Sequence, residues 1–176
     1  LGVAALGLGH YVVNGEKSYR FSPRYPTLEV NAPVHMFKDS QTQFLALDMG
    51  RSEPDFAREG SESNLARLEM EVAEKDGVLK HLASVYDPEN DRVDPGIDKP
   101  GPRILNFANI LKYEYVPLAK AIDLLLEVGK EALGSPVEIE YALDLDKADN
   151  GKPSFHLLQI KPMMGTGAGY SFDTDT

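Results

Sequence analysis

The sequence contains no cysteine and no tryptophan, and it has fewer basic than acidic residues. Without cysteine the chain has no disulfide framework, no thiolate nucleophile and no zinc–thiolate site. Lys and Arg total 18 against 28 Asp and Glu, which gives a formal net charge of −10. That charge argues against sequence-independent binding of nucleic acid. It also means that an anionic nucleotide needs a local metal ion or basic pocket to bind here.

Long apolar runs are missing as well. No run approaches the roughly 20 residues that a membrane-spanning helix needs, so the sequence predicts no membrane partner. The first six residues carry no basic leader and resemble the interior of a longer chain, and we expect a cytoplasmic protein. A length of 176 residues suits one domain with a sizeable buried core.

The most informative stretch lies at residues 137–163. From 137 to 146, apolar residues alternate with mostly acidic ones, which predicts a strand with one apolar and one acidic face. Asn150-Gly151 has the chemistry of a hairpin turn, because both residues tolerate positive φ angles. A second apolar run follows at 155–160. The stretch therefore predicts a β-hairpin.

A two-residue turn would gather three polar side chains on one face of this hairpin. Glu140 would face Lys161 and Gln159 would face Ala142, within reach of diagonal cross-strand neighbours. A carboxylate, an amide oxygen and a cation so placed can hold a hard metal ion and its phosphates. Alternation alone favours a solvated acidic face, but Gln159 interrupts an apolar run, where a buried amide needs hydrogen-bond partners. His156 would point to the face opposite Gln159, which argues against a phosphorylated or metal-bound histidine.

The same stretch resembles a known family. Its acidic-Ile-Glu-aromatic strand, its Gly-Lys pair and its Leu-Gln-x-Lys-Pro run are similar to the end of the nucleotide-binding domain of phosphoenolpyruvate synthases and pyruvate phosphate dikinases, which has the ATP-grasp fold. The resemblance implies that Glu140 and Gln159 contact Mg²⁺ and ATP. It also implies a catalytic, phosphate-contacting role for Lys161, where the family has Arg. Lysine keeps the charge but lacks the bidentate fork of arginine, so this role carries over less well.

A glycine-containing segment near the start offers a second match. From the residues alone, 7–15 (GLGHYVVNG) favours a hairpin with strands at 11–13 and 18–21, not a phosphate loop. The dinucleotide fingerprint is incomplete and no Gly-Lys-Ser/Thr is present. The family, however, has a similar Gly-Leu-Gly-x-x-Val-Val-x-Gly stretch. The resemblance therefore implies that three glycines lie near the nucleotide phosphates: Gly7, Gly9 and Gly15.

Elsewhere the sequence predicts individual elements. These are a buried strand at 41–48, an amphipathic helix at 64–75, an irregular segment at 86–102, a short strand at 103–107 and a helix at 116–133. The last helix is the clearest, because Pro117 suits its first turn while Gly134 and Pro136 follow its end.

These observations predict an α+β protein, an ATP-grasp-like fragment with a mainly antiparallel sheet flanked by helices. Residues 1–164 would form one nucleotide-binding domain and 165–176 a flexible linker. The resemblance implies binding of ATP and Mg²⁺ within a phosphotransferase of the phosphoenolpyruvate synthase type. Its partners would be the phosphohistidine and pyruvate-binding domains of a longer chain, without which we expect no activity. The alternatives are a degenerate, non-catalytic ATP-grasp scaffold and, more weakly, an unrelated acidic α+β protein.

Overall fold

The computed structural model describes residues 1–29, 31–50, 64–145 and 152–163. Its elements are, in chain order, β1 (Gly2–Ala4), α1 (His10–Val13), β2 (Tyr19–Phe21), α2 (Pro33–Lys38), β3 (Gln43–Leu47), β4 (Leu65–Glu69), α3 (Met70–Lys75), a 3-10 turn (Leu79–His81), β5 (Ala83–Asp87), β6 (Arg92–Pro95), β7 (Arg103–Leu105), α4 (Ala108–Leu111), α5 (Leu118–Leu133), β8 (Val137–Asp144) and β9 (Ser154–Pro162). None of the helices within these ranges is long and apolar enough to cross a membrane.

In the part of the chain that the structure describes, the strands form four small antiparallel sheets. β1 pairs with β2, β3 with β4 and β8 with β9, while β5 lies between β6 and β7. The protein is therefore α+β, as predicted. Within the described ranges, however, the strands are divided among these sheets and do not join into one mainly antiparallel sheet.

The chain divides into two compact units, Leu1–Ala119 and Lys120–Thr176. The predicted nucleotide-binding domain, 1–164, takes in residues of both units. The predicted linker at 165–176 lies outside the described residues.

The core of the first unit is built around β5, whose first four residues are all buried. This strand is covered on both edges by β6 and β7. Met36, Tyr86 and Ile104 form a buried cluster there, and the side chains of Tyr19 and Val34 pack against it. Burial of such large apolar side chains contributes about 1.5–3 kcal/mol each, so this cluster stabilises the unit.

Gln41 holds the N-terminal glycine segment against β3. Its side chain is 4% exposed. The Gln41 amide accepts a hydrogen bond from the Leu6 backbone N–H and donates one to the Leu6 carbonyl, each at 2.9 Å. The Leu8 N–H donates to the Leu45 carbonyl of β3, also at 2.9 Å. The segment is therefore positioned by hydrogen bonds on both sides of Gly7, to the Gln41 side chain on one side and to the β3 backbone on the other.

The hairpin predicted from 11–13 and 18–21 is wrong. Residues His10–Val13 form the short helix α1, and β2 pairs with β1. Helical bonds from Val13 to Gly9 (3.1 Å) and from Asn14 to His10 (3.0 Å) satisfy the backbone within the segment. Because residues 10–13 form hydrogen bonds within their own helix, they do not pair with β2. β2 pairs instead with β1, the strand that precedes α1.

The single helix predicted at 64–75 is also wrong, because a strand, β4, precedes the short helix α3. β4 pairs along its whole length with β3. On β4, Arg67 donates hydrogen bonds of 2.6 and 2.7 Å to the carboxylate of Glu16. Tertiary pairing thus overrides the helical period of the apolar residues.

The segment predicted as irregular, 86–102, includes the end of β5 and all of β6, which pair as a regular hairpin. The Asp87 carboxylate accepts hydrogen bonds from the backbone N–H groups of Glu89 (3.1 Å) and Asn90 (3.2 Å). Pro88 lies in this turn and Pro95 at the end of β6, so both prolines occupy positions that a hairpin tolerates.

Other predicted elements are confirmed. The strand predicted at 103–107 is β7, and the helix predicted at 116–133 is α5, after which Gly134 has a φ of 69°. β3 lies within the strand predicted at 41–48, although Leu45 is its one buried residue.

Candidate functional site

The hairpin of β8 and β9 gathers polar residues in two cross-strand pairs. Glu140 lies opposite Gln159, and Glu138 lies opposite Lys161. Because residues two apart on a strand share a face, all four side chains belong to one face of the hairpin. We call this set the polar face. It includes the three residues that the sequence predicted to lie together, and Glu138, which the alternation could have indicated, joins them.

The predicted register is wrong by two positions at Glu140. It assumed a two-residue turn, whereas the pair nearest the turn is Asp144 with Ser154. The connection is therefore longer than a tight turn. The residues predicted to form that turn, Asn150-Gly151, lie outside the described ranges.

A β-bulge at Leu158 changes the alternation along β9. Beyond the bulge, His156 pairs with Ala142, which shares the face of Glu140. His156 therefore lies on the same face as Gln159, and the prediction that it points the opposite way is wrong. Sequence alternation could not reveal this, because the bulge adds one residue to β9 with no counterpart on β8.

The charges on the polar face are open to solvent. Lys161 Nζ lies 3.5 Å from Glu138 Oε1, and the two side chains are 47% and 56% exposed. Such an exposed pair contributes only about 0–1 kcal/mol, so Glu138 restrains Lys161 weakly. Glu140 and Gln159 are exposed as well.

The polar face offers few ligands for a metal ion. The described residues hold no group of three or more His, Cys, Asp or Glu side chains placed to bind one. Glu140 and Gln159 supply one carboxylate and one amide oxygen. Mg²⁺ commonly takes only one or two protein carboxylates and completes its shell with water and substrate phosphates. The residues present therefore fit a metal ion that arrives with a nucleotide, and they do not form a cage of their own.

The opposite, apolar face of the hairpin packs against α5 at Gly129. A Cβ atom on Gly129 would lie 2.7 Å from Ile160 Cδ1 and 2.8 Å from Val137 Cγ2. On the same face, the rings of Tyr141 and Phe155 stack with their centroids 5.6 Å apart and an interplanar angle of 13°. This packing fixes one face of the hairpin and leaves the polar face accessible.

Burial on the apolar face raises the pKa of Tyr141 to about 12. Unfolding lowers that pKa towards 10, so the folded state holds its proton more tightly. We predict that the protonated Tyr141 hydroxyl adds about 2–3 kcal/mol to the free energy of unfolding. This contribution is fully present below pH 10 and is lost as the pH rises towards 12. Denaturation between pH 9 and 11.5 should therefore show the wild type losing stability relative to Tyr141→Phe. A difference between the two proteins that does not change with pH would contradict this expectation.

The glycines predicted to approach the phosphates lie in the first compact unit, whereas the polar face lies in the second. Gly7 is fixed against β3 by its neighbours' hydrogen bonds. A Cβ atom on Gly9 or Gly15 would meet no other atom within 4 Å, so open space surrounds both positions. Of these three glycines, only Gly7 lies where a larger side chain would clash with neighbouring atoms.

Comparison with known proteins gives no relative: no family model, no curated protein and no solved structure matches the chain. Function is therefore inferred from the hairpin residues and the motif that they form.

Proposed function

We propose that the polar face of the hairpin binds ATP with Mg²⁺, as the nucleotide-binding part of an ATP-grasp phosphotransferase of the phosphoenolpyruvate synthase type. The observation that carries this proposal is the direct pairing of Glu140 with Gln159, beside the pair of Glu138 with Lys161. The resemblance of the surrounding motif to that family supports it.

Cross-strand partners have Cβ atoms about 4.5–5.5 Å apart, so the Glu140 carboxylate and the Gln159 amide can reach a common ligand. In the proposal both groups donate oxygen ligands to the metal ion. Lys161 lies one pair further along the face and meets phosphate oxygens when its ammonium group leaves Glu138. Because the net charge is −10, this local cation and the metal are needed to hold a nucleotide.

Phosphoryl transfer depends mostly on positioning and on neutralising the phosphate charge. The polar face supplies oxygen ligands and one cation, which are the groups such positioning needs. A group that accepts the phosphoryl is expected from another domain, as the family resemblance implies. We therefore expect nucleotide binding without turnover from this chain alone.

A second candidate function is a non-catalytic scaffold with a degenerate nucleotide site. The observation that favours it is the ion pair between Lys161 and Glu138, which partly neutralises the single cation of the polar face. Lysine at position 161, where the family has arginine, also favours the scaffold, because a lysine cannot bind a phosphate with two parallel hydrogen bonds.

Calorimetric titration of Mg-ATP into the natural full-length chain separates the two candidates. We predict that Glu140→Ala and Gln159→Ala each weaken binding about tenfold or more, a loss of about 1.4 kcal/mol, and that EDTA abolishes it. Both positions are exposed, so folding should change by less than about 0.5 kcal/mol.

The matched control is Glu131→Ala, which removes an exposed carboxylate from α5 and should leave the affinity unchanged. Absence of binding in the parent chain would favour the scaffold. So would affinity that neither hairpin substitution alters.

A further inference from the structure

The first compact unit contains a cavity of about 170 Å³ that is separate from the hairpin. Its walls come from α2, β5, β6, α4 and the residues beside them. An engineered protein cavity of about 150 Å³ accepts benzene, so this cavity has room for a molecule of about six non-hydrogen atoms. Its apolar walls are formed by Pro33, Met36, Val93, Pro95 and Ala108.

A buried amide lines this cavity with its N–H₂ group unpartnered. Asn106 is 2% exposed. Its Oδ1 accepts hydrogen bonds from Ser84 Oγ at 3.0 Å and from the Ala108 backbone N–H at 3.2 Å, which fixes the orientation of the amide. Its Nδ2 has no hydrogen-bond partner in the described part of the chain. Nδ2 retains accessible surface, so the oxygen of a ligand in the cavity would accept a hydrogen bond from it.

The positive charges that line the cavity are neutralised by the protein. Lys112 forms an ion pair with Glu29, which also lines the cavity. Arg92 Nε lies 3.3 Å from a carboxylate oxygen of Asp87 and 3.3 Å from one of Asp94. The lining therefore leaves no strong attraction for an anionic ligand.

Asp91 is the remaining charged residue of the lining. Its Oδ1 accepts a hydrogen bond from the Tyr86 hydroxyl at 3.0 Å, and in the described ranges it makes no ion pair. The uncompensated charge at the cavity is therefore negative. The overall charge of −10 further raises the local concentration of cations.

Residues with left-handed backbone lie at or beside the same cavity. In the described chain, the non-glycine residues with positive φ are Asp91 (43°), Phe107 (53°) and Glu114 (52°). Asp91 lines the cavity, Phe107 lies between two lining residues, and Glu114 follows Tyr113, another lining residue. Asp91 tolerates this conformation in the turn between β5 and β6. At Phe107 and Glu114 positive φ costs about 1–3 kcal/mol, and such strain is concentrated at functional sites.

We propose that this cavity binds a small organic cation that also carries a hydrogen-bond-accepting oxygen. The oxygen would accept from Asn106 Nδ2, and the ammonium group would lie beside Asp91. This proposal does not depend on the nucleotide site proposed for the hairpin, so an experiment can contradict one proposal without affecting the other.

The test uses three molecules of six non-hydrogen atoms and the ¹⁵N-labelled full chain. β-Alaninamide has both the ammonium and the carbonyl, butyramide lacks the ammonium, and pentylamine lacks the carbonyl. Binding is followed by the NMR shift of the Asn106 side-chain amide. We expect β-alaninamide to bind about tenfold or more tightly than either of the other two and to shift the Asn106 resonance.

Asp91→Asn removes the charge while keeping a residue that tolerates positive φ and can accept from Tyr86. It should reduce β-alaninamide binding to the level of butyramide. Asp98→Asn, which removes an exposed carboxylate outside the lining, should not. Equal binding of the three molecules, an unshifted Asn106 amide, or equal effects of the two variants would overturn the proposal.

Discussion

Gly7→Ala is expected to destabilise the first compact unit by about 3–5 kcal/mol. Gly7 has a φ of +94°, which residues with a side chain rarely adopt. A Cβ atom there would lie 2.5 Å from the carbonyl oxygen of Leu45 and 3.1 Å from its nitrogen. Those atoms belong to β3, whose pairing with β4 prevents the backbone from yielding. Strain and overlap therefore act together.

Urea denaturation followed by circular dichroism measures this loss, with Gly9→Ala as the matched control. Gly9 has helical φ and ψ of −58° and −22°, and an added Cβ meets nothing within 4 Å. The control should be neutral or more stable by about 0.4–1 kcal/mol, because alanine restricts the unfolded chain. Equal stability of the two variants would show that Gly7 does not contact β3 as described.

Gly129→Leu is expected to cost about 2–3 kcal/mol by overpacking the contact between α5 and the hairpin. The first atom of the new side chain would already lie under 3 Å from Ile160 and Val137. Val137 is buried at the start of β8, so it has little room to move. We also expect faster amide hydrogen exchange along β8, because the hairpin must separate from the helix.

Ala132→Leu tests whether size alone is responsible, because it adds the same side chain at an exposed position of the same helix. This control should change stability by less than about 0.5 kcal/mol. A Gly129→Leu protein as stable as the control, with unchanged exchange on β8, would contradict the packing of α5 on the hairpin.

Regular periodicity was the part of the fold that the sequence could predict. The helix at 118–133 and the strand at 137–144 follow from uninterrupted patterns of 3.6 and 2.0 residues. Leu65–Glu69 could not be assigned in this way, because its apolar residues also fit a helix and its pairing with β3 is a distant contact. The division of the strands among several small sheets likewise depends on such distant contacts.

The sequence predicted which residues share the polar face of the hairpin, but it did not predict how they pair across the two strands. The alternation placed Glu140 on a polar face, and the motif drew attention to Gln159. Their direct pairing depends on the length of the connection and on the bulge at Leu158, neither of which alternation reveals. The amide of Asn106 was not predicted, since only the folded structure shows that it is buried and lines a cavity.

Paramagnetic NMR with Mn²⁺ in place of Mg²⁺ tests the central claim most directly, because it locates the metal on the chain. In the ¹⁵N-labelled full-length chain, substoichiometric Mn²⁺ with ATP should broaden the Gln159 side-chain amide and the backbone resonances of Glu138 and Glu140. It should broaden Ala132 on α5 less than these hairpin resonances, and all of these effects should be much weaker without ATP. Broadening confined to other acidic segments, or independent of ATP, would contradict a metal–nucleotide site on the hairpin.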